Sequence, residues 1–76
     1  MNYSVVIHDA EEGGFWAEVP ALEGCYAQGE TIDETLDDMR RAIESHLAFL
    51  VDDGQQIPAD TAIRLATVSA VAPPAA

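Results

Sequence analysis

Apolar and polar residues alternate along the first third of the chain. In residues 3–9, YSVVIHD, Tyr3, Val5 and Ile7 share one face and Ser4, Val6 and His8 the other. That period of two predicts a half-buried strand. The AEEGG segment ends in Gly13 and Gly14, which predicts a turn because glycine takes positive φ without steric cost. Alternation resumes in FWAEV, with Phe15, Ala17 and Val19 on one side and Trp16 and Glu18 on the other. The two segments predict an antiparallel hairpin. Pro20 lacks the backbone donor a ladder needs and ends the second strand. ALEG turns the chain, and CYAQG predicts a short third strand.

The period then changes. Ile32, Leu36, Met39, Ile43, Leu47 and Leu50 recur every three or four residues, one apolar stripe along a helix of about five turns. Thr31 with Glu34 forms a capping-box pattern, and Asp33, Glu34 and Asp37 lie where a helix start favours negative charge. Asp37 with Arg41 and Arg40 with Glu44 are spaced for pairing on the wet side. Gly54 stands where a helix would stop. After Pro58, Thr61, Ile63, Leu65 and Thr67 alternate with Ala62, Arg64, Ala66 and Val68. This predicts a fourth strand over 61–68 and a flexible tail over 69–76.

The predicted order is β-β-β-α-β: one α+β domain over residues 1–68, a three-stranded meander covered by one long helix plus a fourth strand. A single helix covers only one sheet face. Val6 and Trp16 are expected on the other, an apolar area suited to an interface.

Length and charge narrow the functional classes. A chain of 76 residues buries only roughly 60% of its unfolded surface. With Cys25 its sole cysteine, no internal disulfide can staple it, so self-association is the expected support. Fourteen acidic residues against three basic ones give a net charge of -11. Residues 1–39 hold ten carboxylates and neither lysine nor arginine. Nucleic-acid binding needs basic side chains on phosphates, so direct contact with DNA or RNA is not expected, whereas a basic protein would be attracted. No secretory leader opens the sequence and no run is long enough to span a bilayer. A cytoplasmic protein with no membrane contact is expected.

Three groups of residues invite chemistry. Asp9, Glu11, Glu12 and Glu18 suggest a metal-dependent nuclease, with Asp9 and Glu18 facing each other across the hairpin. Two-metal hydrolysis needs carboxylates converging on ions roughly 4 Å apart, and no ordered spacing here demands it. A solvated acidic face outweighs that reading, and no metal or cofactor is expected. Cys25 with His8 or His46 would need a base within reach and an orienting group. A small buried cysteine, and a histidine at the edge of the helix stripe, account for them better. Trp16, and to a lesser degree Tyr26, suit recognition, because large aromatics concentrate interface energy; packing in a homodimer competes with that use.

GGFWAEVPALEGC at 13–25, GET at 29–31 and the helix opening IDETLDDMRRAI together resemble the HicB antitoxin family, over a span from Tyr3 to about Pro58. The resemblance implies a small, degenerate ribonuclease H-like fold and a role in toxin–antitoxin pairs. The implied partner is a HicA-type toxin, a small basic mRNA interferase that the antitoxin covers. It also implies dimers or tetramers. Full-length family members continue into a DNA-binding module, for which the 18 residues after Pro58 are too few. On this reading Glu11, Glu12, Asp33, Glu34, Asp37 and Asp38 attract the toxin, Trp16 and Tyr26 suit its recognition, and Val6 lies beside Trp16 on a face suited to a subunit interface. The alternatives are a solitary oligomeric interaction domain with another protein or small-ligand partner, and the metal-dependent nuclease.

Overall fold

A computed structural model describes residues 1–75. Strands β1 (Val6–Asp9), β2 (Phe15–Glu18) and β3 (Tyr26–Gly29) form an antiparallel sheet in the order β1-β2-β3, followed by one helix, α1 (Ile32–Asp52). The meander and the helix stand as predicted. The first strand is shorter than its alternating segment: the last pair of the β1–β2 ladder is Val6 with Glu18. Beyond it the Val19 amide bonds the Cys25 carbonyl within the next turn, leaving Tyr3–Val5 nothing to pair with on β2.

Two glycines in the first hairpin meet different demands. Gly13 (φ 98°) serves only the turn, whereas at Gly14 (φ 74°) a Cβ would also lie 2.6 Å from the Gly29 carbonyl oxygen. The first turn thus folds down against the end of β3. Between β2 and β3, Leu22 turns inward to join Ala17, Val19, Cys25, Ala27 and Met39 in the core.

The helix lies over β3 and β2 because the inner face there is built of small residues. Ala17, Ala27 and Gly29 let the helix backbone close in. Its start is capped by Thr31, whose Oγ1 accepts from the Glu34 amide at 3.1 Å. Its end is a Schellman turn: the Gln55 amide reaches the Leu50 carbonyl at 2.9 Å and Gly54 (φ 73°) reaches Val51 at 3.1 Å.

The buried stripe is rotated from the one the apolar pattern predicts. Thr35, Met39 and Leu50 are buried, while Ile32 and Leu36 are 47% and 41% exposed. Thr35 wins the inward position because the space over Gly29 fits a small side chain and its hydroxyl has a partner. Thr35 Oγ1 donates to the Thr31 carbonyl at 2.7 Å. Leu36, Ile43 and Leu47 turn toward the β1 side instead, where they line an apolar groove of about 440 Å³ with Met1, Tyr3 and Val5.

The predicted fourth strand is not formed. Among the described residues, none after Asp52 is in a strand or helix. The tail is pinned to the start of the chain instead: Tyr3 Oη donates to the Pro58 carbonyl at 2.6 Å, and the Ser4 amide and hydroxyl donate to the two Asp60 carboxylate oxygens at 2.8 and 2.7 Å. A side chain thereby takes the Ser4 amide that a neighbouring strand would use. Ile63 and Leu65 continue beside residues 4–7, but Leu65 is 88% exposed and buries too little to hold a ladder in place. With this extended tail the Cα radius of gyration is 16.1 Å, against about 11 Å for a compact chain of this length.

Candidate functional site

The sheet face turned away from α1 carries a group of interacting side chains. Cross-strand pairing places His8, Trp16 and Gln28 in one row and Val6, Glu18 and Tyr26 in the next. These six alternate with the inward residues Ile7, Ala17 and Ala27, so the period of two that builds the core also assembles this face. Trp16 stands at its centre. The His8 ring stacks on the indole with centroids 4.1 Å apart and planes 13° from parallel. His8 Nε2 donates to Glu18 Oε2 at 2.7 Å, which locks the imidazole against the indole. On the β3 side Tyr26 stands 6.3 Å from Trp16 with its ring tilted by 53°. Trp16 and Tyr26 are 36% and 61% exposed.

Two clefts meet at Trp16. One, of about 340 Å³, is lined by Trp16, Tyr26, Ala27, Gln28 and Asp38. Asp38 reaches it from the second turn of α1, and its Oδ2 accepts from the Gln28 amide at 3.1 Å. The edge strand thus spends a free donor on the helix, and the carboxylate is fixed in place. The other cleft, of about 430 Å³, collects Glu12 from the hairpin turn with Glu30 and Glu34 from the helix start, beside Phe15 and Trp16. Glu34 is anchored there, its Oε2 accepting from the Glu30 amide at 3.1 Å.

The structure thus brings Trp16, Tyr26, Val6, Glu12, Glu34 and Asp38 around one face and its rim. Glu11 and Asp33 lie outside both clefts, exposed on the hairpin turn and the first helical turn. Asp37 is differently engaged: Arg40 and Arg41 bond its two oxygens at 3.1 and 2.8 Å. These bonds, Arg40's foremost, hold its carboxyl below the usual carboxylate range. Its charge is shared with those arginines, so it offers a partner less than its neighbours do. His8, Glu18, Gln28 and Glu30 were missed as members of the site. Strand parity placed His8 and Glu18 on this face, and only the register shows them bonded.

Asp9 and Glu18 do not face each other: Asp9 pairs with Phe15 and Glu18 with Val6, an odd separation that sends their side chains to opposite faces. Among the described residues no group of His, Cys, Asp and Glu side chains is placed to hold a metal ion. Cys25 is buried, its thiol directed at the Met39 sulfur at 3.9 Å. Burial raises its pKa and disfavours the nucleophilic thiolate. Among the described residues no helix is long and apolar enough to cross a membrane.

Comparison with known proteins places the chain in a family. The family described as HicB-like antitoxin of bacterial toxin–antitoxin system matches residues 3–71. A UPF0150 protein of Synechocystis is 47% identical over 76% of this chain and 80% of its own length. Antitoxin HicB 1 of Photorhabdus laumondii is 31% identical over 76% of this chain and 37% of its own length. The crystal structure of the N-terminal domain of Burkholderia pseudomallei antitoxin HicB superposes with a TM-score of 0.69 at 25% identity, over 82% of this chain and 73% of that one. The structure of the Burkholderia antitoxin itself gives 0.67 at 28% identity, over 75% of this chain but only 43% of that one. The chain thus spans less than half of the longer antitoxins it matches. It belongs to the HicB-like antitoxins of bacterial toxin–antitoxin systems.

Proposed function

We propose that this protein neutralises a small basic HicA-type mRNA interferase by binding it directly, through the sheet face that α1 leaves open. One observation carries the reading: Trp16 and Tyr26 stand exposed on a rigid sheet, rimmed by the carboxylates of Glu12, Glu30, Glu34 and Asp38. Exposed aromatics held at low entropy cost are the usual anchors of a protein interface. The charge of -11 steers a basic partner toward them and opposes RNA binding by the antitoxin itself. The protein acts by occlusion in the cytoplasm and has no catalysis of its own. Its βββα core is read as the degenerate form of a ribonuclease H-like fold.

A second feature favours self-association. The groove formed by Met1, Tyr3, Val5, Leu36, Ile43 and Leu47 is apolar and open, and it lies away from the aromatic face. A dimer or tetramer built there leaves the aromatic face of each protomer available.

The test is purification of the tagged protein from its native host under mild conditions, with mass spectrometry and light scattering on the eluate. A stoichiometric small basic partner is expected, whose ribonuclease activity is abolished by an equimolar amount of this protein. A homo-oligomer that retains no partner, or a partner whose activity the protein leaves intact, contradicts the proposal.

A further inference from the structure

We propose that the cleft between Trp16, Tyr26 and Asp38 is a guanidinium pocket, which takes one arginine side chain of the partner protein. This deepens the antitoxin reading and rests on it for the partner's identity. The chemistry of the pocket follows from its own residues.

The two faces of the Trp16 indole are not equivalent. His8 covers the face toward β1 at 4.1 Å and is held there by Glu18. The face toward β3 looks into the cleft. Tyr26 does not close it: a 6.3 Å centroid separation with a 53° tilt leaves a wedge between the rings, with part of each π-face open to its mouth. Such a wedge attracts a cation, because the ring faces carry negative potential.

Charge at the cleft agrees. Asp38 is its one carboxylate, and among the described residues no cation pairs with it. The neighbouring carboxylates are differently disposed, Glu18 bonded to His8 and Asp37 to Arg40 and Arg41. Asp38 Oδ2 already accepts from the Gln28 amide, and among the described residues Oδ1 carries no hydrogen bond. The carboxylate is therefore fixed with one oxygen ready to accept.

Arginine fits this arrangement and lysine does not. A guanidinium is planar and weakly hydrated, so it can lie against an aromatic face while its edge donates to a carboxylate. An ammonium must give up a tightly held water shell to do either. The cleft is shallow and open, as suits the tip of a side chain delivered by a protein surface.

Trp16 is the chain's only tryptophan and therefore reports on the pocket directly. The probes are N-acetyl-arginine amide, N-acetyl-lysine amide and tetramethylammonium, titrated against the whole protein while indole fluorescence and the Trp16 indole and Gln28 amide NMR signals are followed. The arginine probe is expected to give saturable shifts at both groups, with the lysine probe about fivefold weaker. Asp38→Asn keeps an acceptor for the Gln28 amide but removes the charge, and is expected to weaken the arginine response about fivefold. Tyr26→Leu, at an exposed position, should weaken it comparably.

No saturable response to arginine, equal responses to arginine and lysine, or an Asp38→Asn variant that responds like the wild type would overturn the proposal. A stronger response to tetramethylammonium would overturn it too, by making the wedge a quaternary-ammonium cage. Titration of the co-purified toxin separates the two levels. A toxin that binds wild type and Asp38→Asn alike refutes the pocket and leaves the antitoxin reading standing. A probe-competent pocket in a protein that binds no toxin refutes the antitoxin reading alone.

Discussion

The approach of α1 to β3 is the joint on which the cleft beside the aromatic face depends, and Gly29→Ala tests it. A Cβ at Gly29 would lie 2.7 Å from the Thr35 amide nitrogen, 2.8 Å from Thr35 Oγ1 and 3.0 Å from the Glu34 carbonyl carbon, where ordinary contact begins at 3.4 Å. Two of these three atoms are backbone, so no rotamer change relieves the overlap and the helix start must retreat. Overpacking of this kind costs about 1–3 kcal/mol. Gly29 is not at positive φ, so alanine is conformationally allowed and recovers about 0.4–1 kcal/mol by restricting the unfolded chain. The net loss is about 1–2 kcal/mol, which for a domain of this size lowers Tm by roughly 5–15 °C. Thermal unfolding followed by far-UV circular dichroism and by Trp16 fluorescence measures it. The same retreat pulls Asp38 from the Gln28 amide, so exchange of that amide should quicken. A Tm within 2 °C of wild type, a shift below what about 0.5 kcal/mol would give, refutes the claim that close helix–strand contact at Gly29 sets the geometry.

The helix cap, the Ser4–Asp60 contact and Cys25 are open to equally direct checks. Thr31→Ala removes the oxygen that caps the Glu34 amide and is expected to cost about 1 kcal/mol, read by urea unfolding. The Ser4 amide, with the Ser4 hydroxyl second, holds the Asp60 carboxyl below its ordinary pKa. A depressed folded pKa contributes stability that is present above the unfolded value of about 3.9 and is lost as pH falls through the folded one. Ser4 amide exchange should therefore stay slow down to about pH 4 and quicken below it, and Asp60→Asn should abolish that step. Cys25, buried and with a raised pKa, should alkylate with iodoacetamide at pH 8 at least about tenfold more slowly than in the urea-unfolded chain, as intact mass measures.

Most of the core was legible because it rests on periodicity. Strand parity separated Ala17 and Val19 from Trp16 and Glu18, and the capping pattern at Thr31 located the helix start. What the pattern missed depends on neighbours distant in sequence. Thr35 displaces Leu36 from the core because Gly29, six residues earlier and on another element, leaves room for a small side chain there. The alternation of residues 61–68 resembles a strand, yet a strand needs a free edge, and Asp60 occupies the Ser4 amide at the place where pairing would begin. The pairing of His8 with Glu18 follows from a register that no single segment encodes. The failure of Asp9 to meet Glu18, by contrast, is already written in strand parity, which puts Asp9 on the Ile7 face and Glu18 on the Trp16 face. Parity puts Val6 and Trp16 on the open face, and Tyr26, named separately for recognition, joins that face through the β2–β3 register. The carboxylate that completes its cleft, Asp38, was foreseen only as one of a run of acids.

The most direct test of the central claim is calorimetric titration of the co-purified toxin with Trp16→Ala and, as a control, Phe49→Ala. Phe49 is 61% exposed near the end of α1 and contributes to neither cleft. If the open sheet face holds the toxin, Trp16→Ala weakens binding by about 30-fold or more, the loss typical of an interface anchor, while Phe49→Ala binds as the wild type does. Equal affinities for Trp16→Ala and the wild type would contradict the account and place the toxin elsewhere on the molecule.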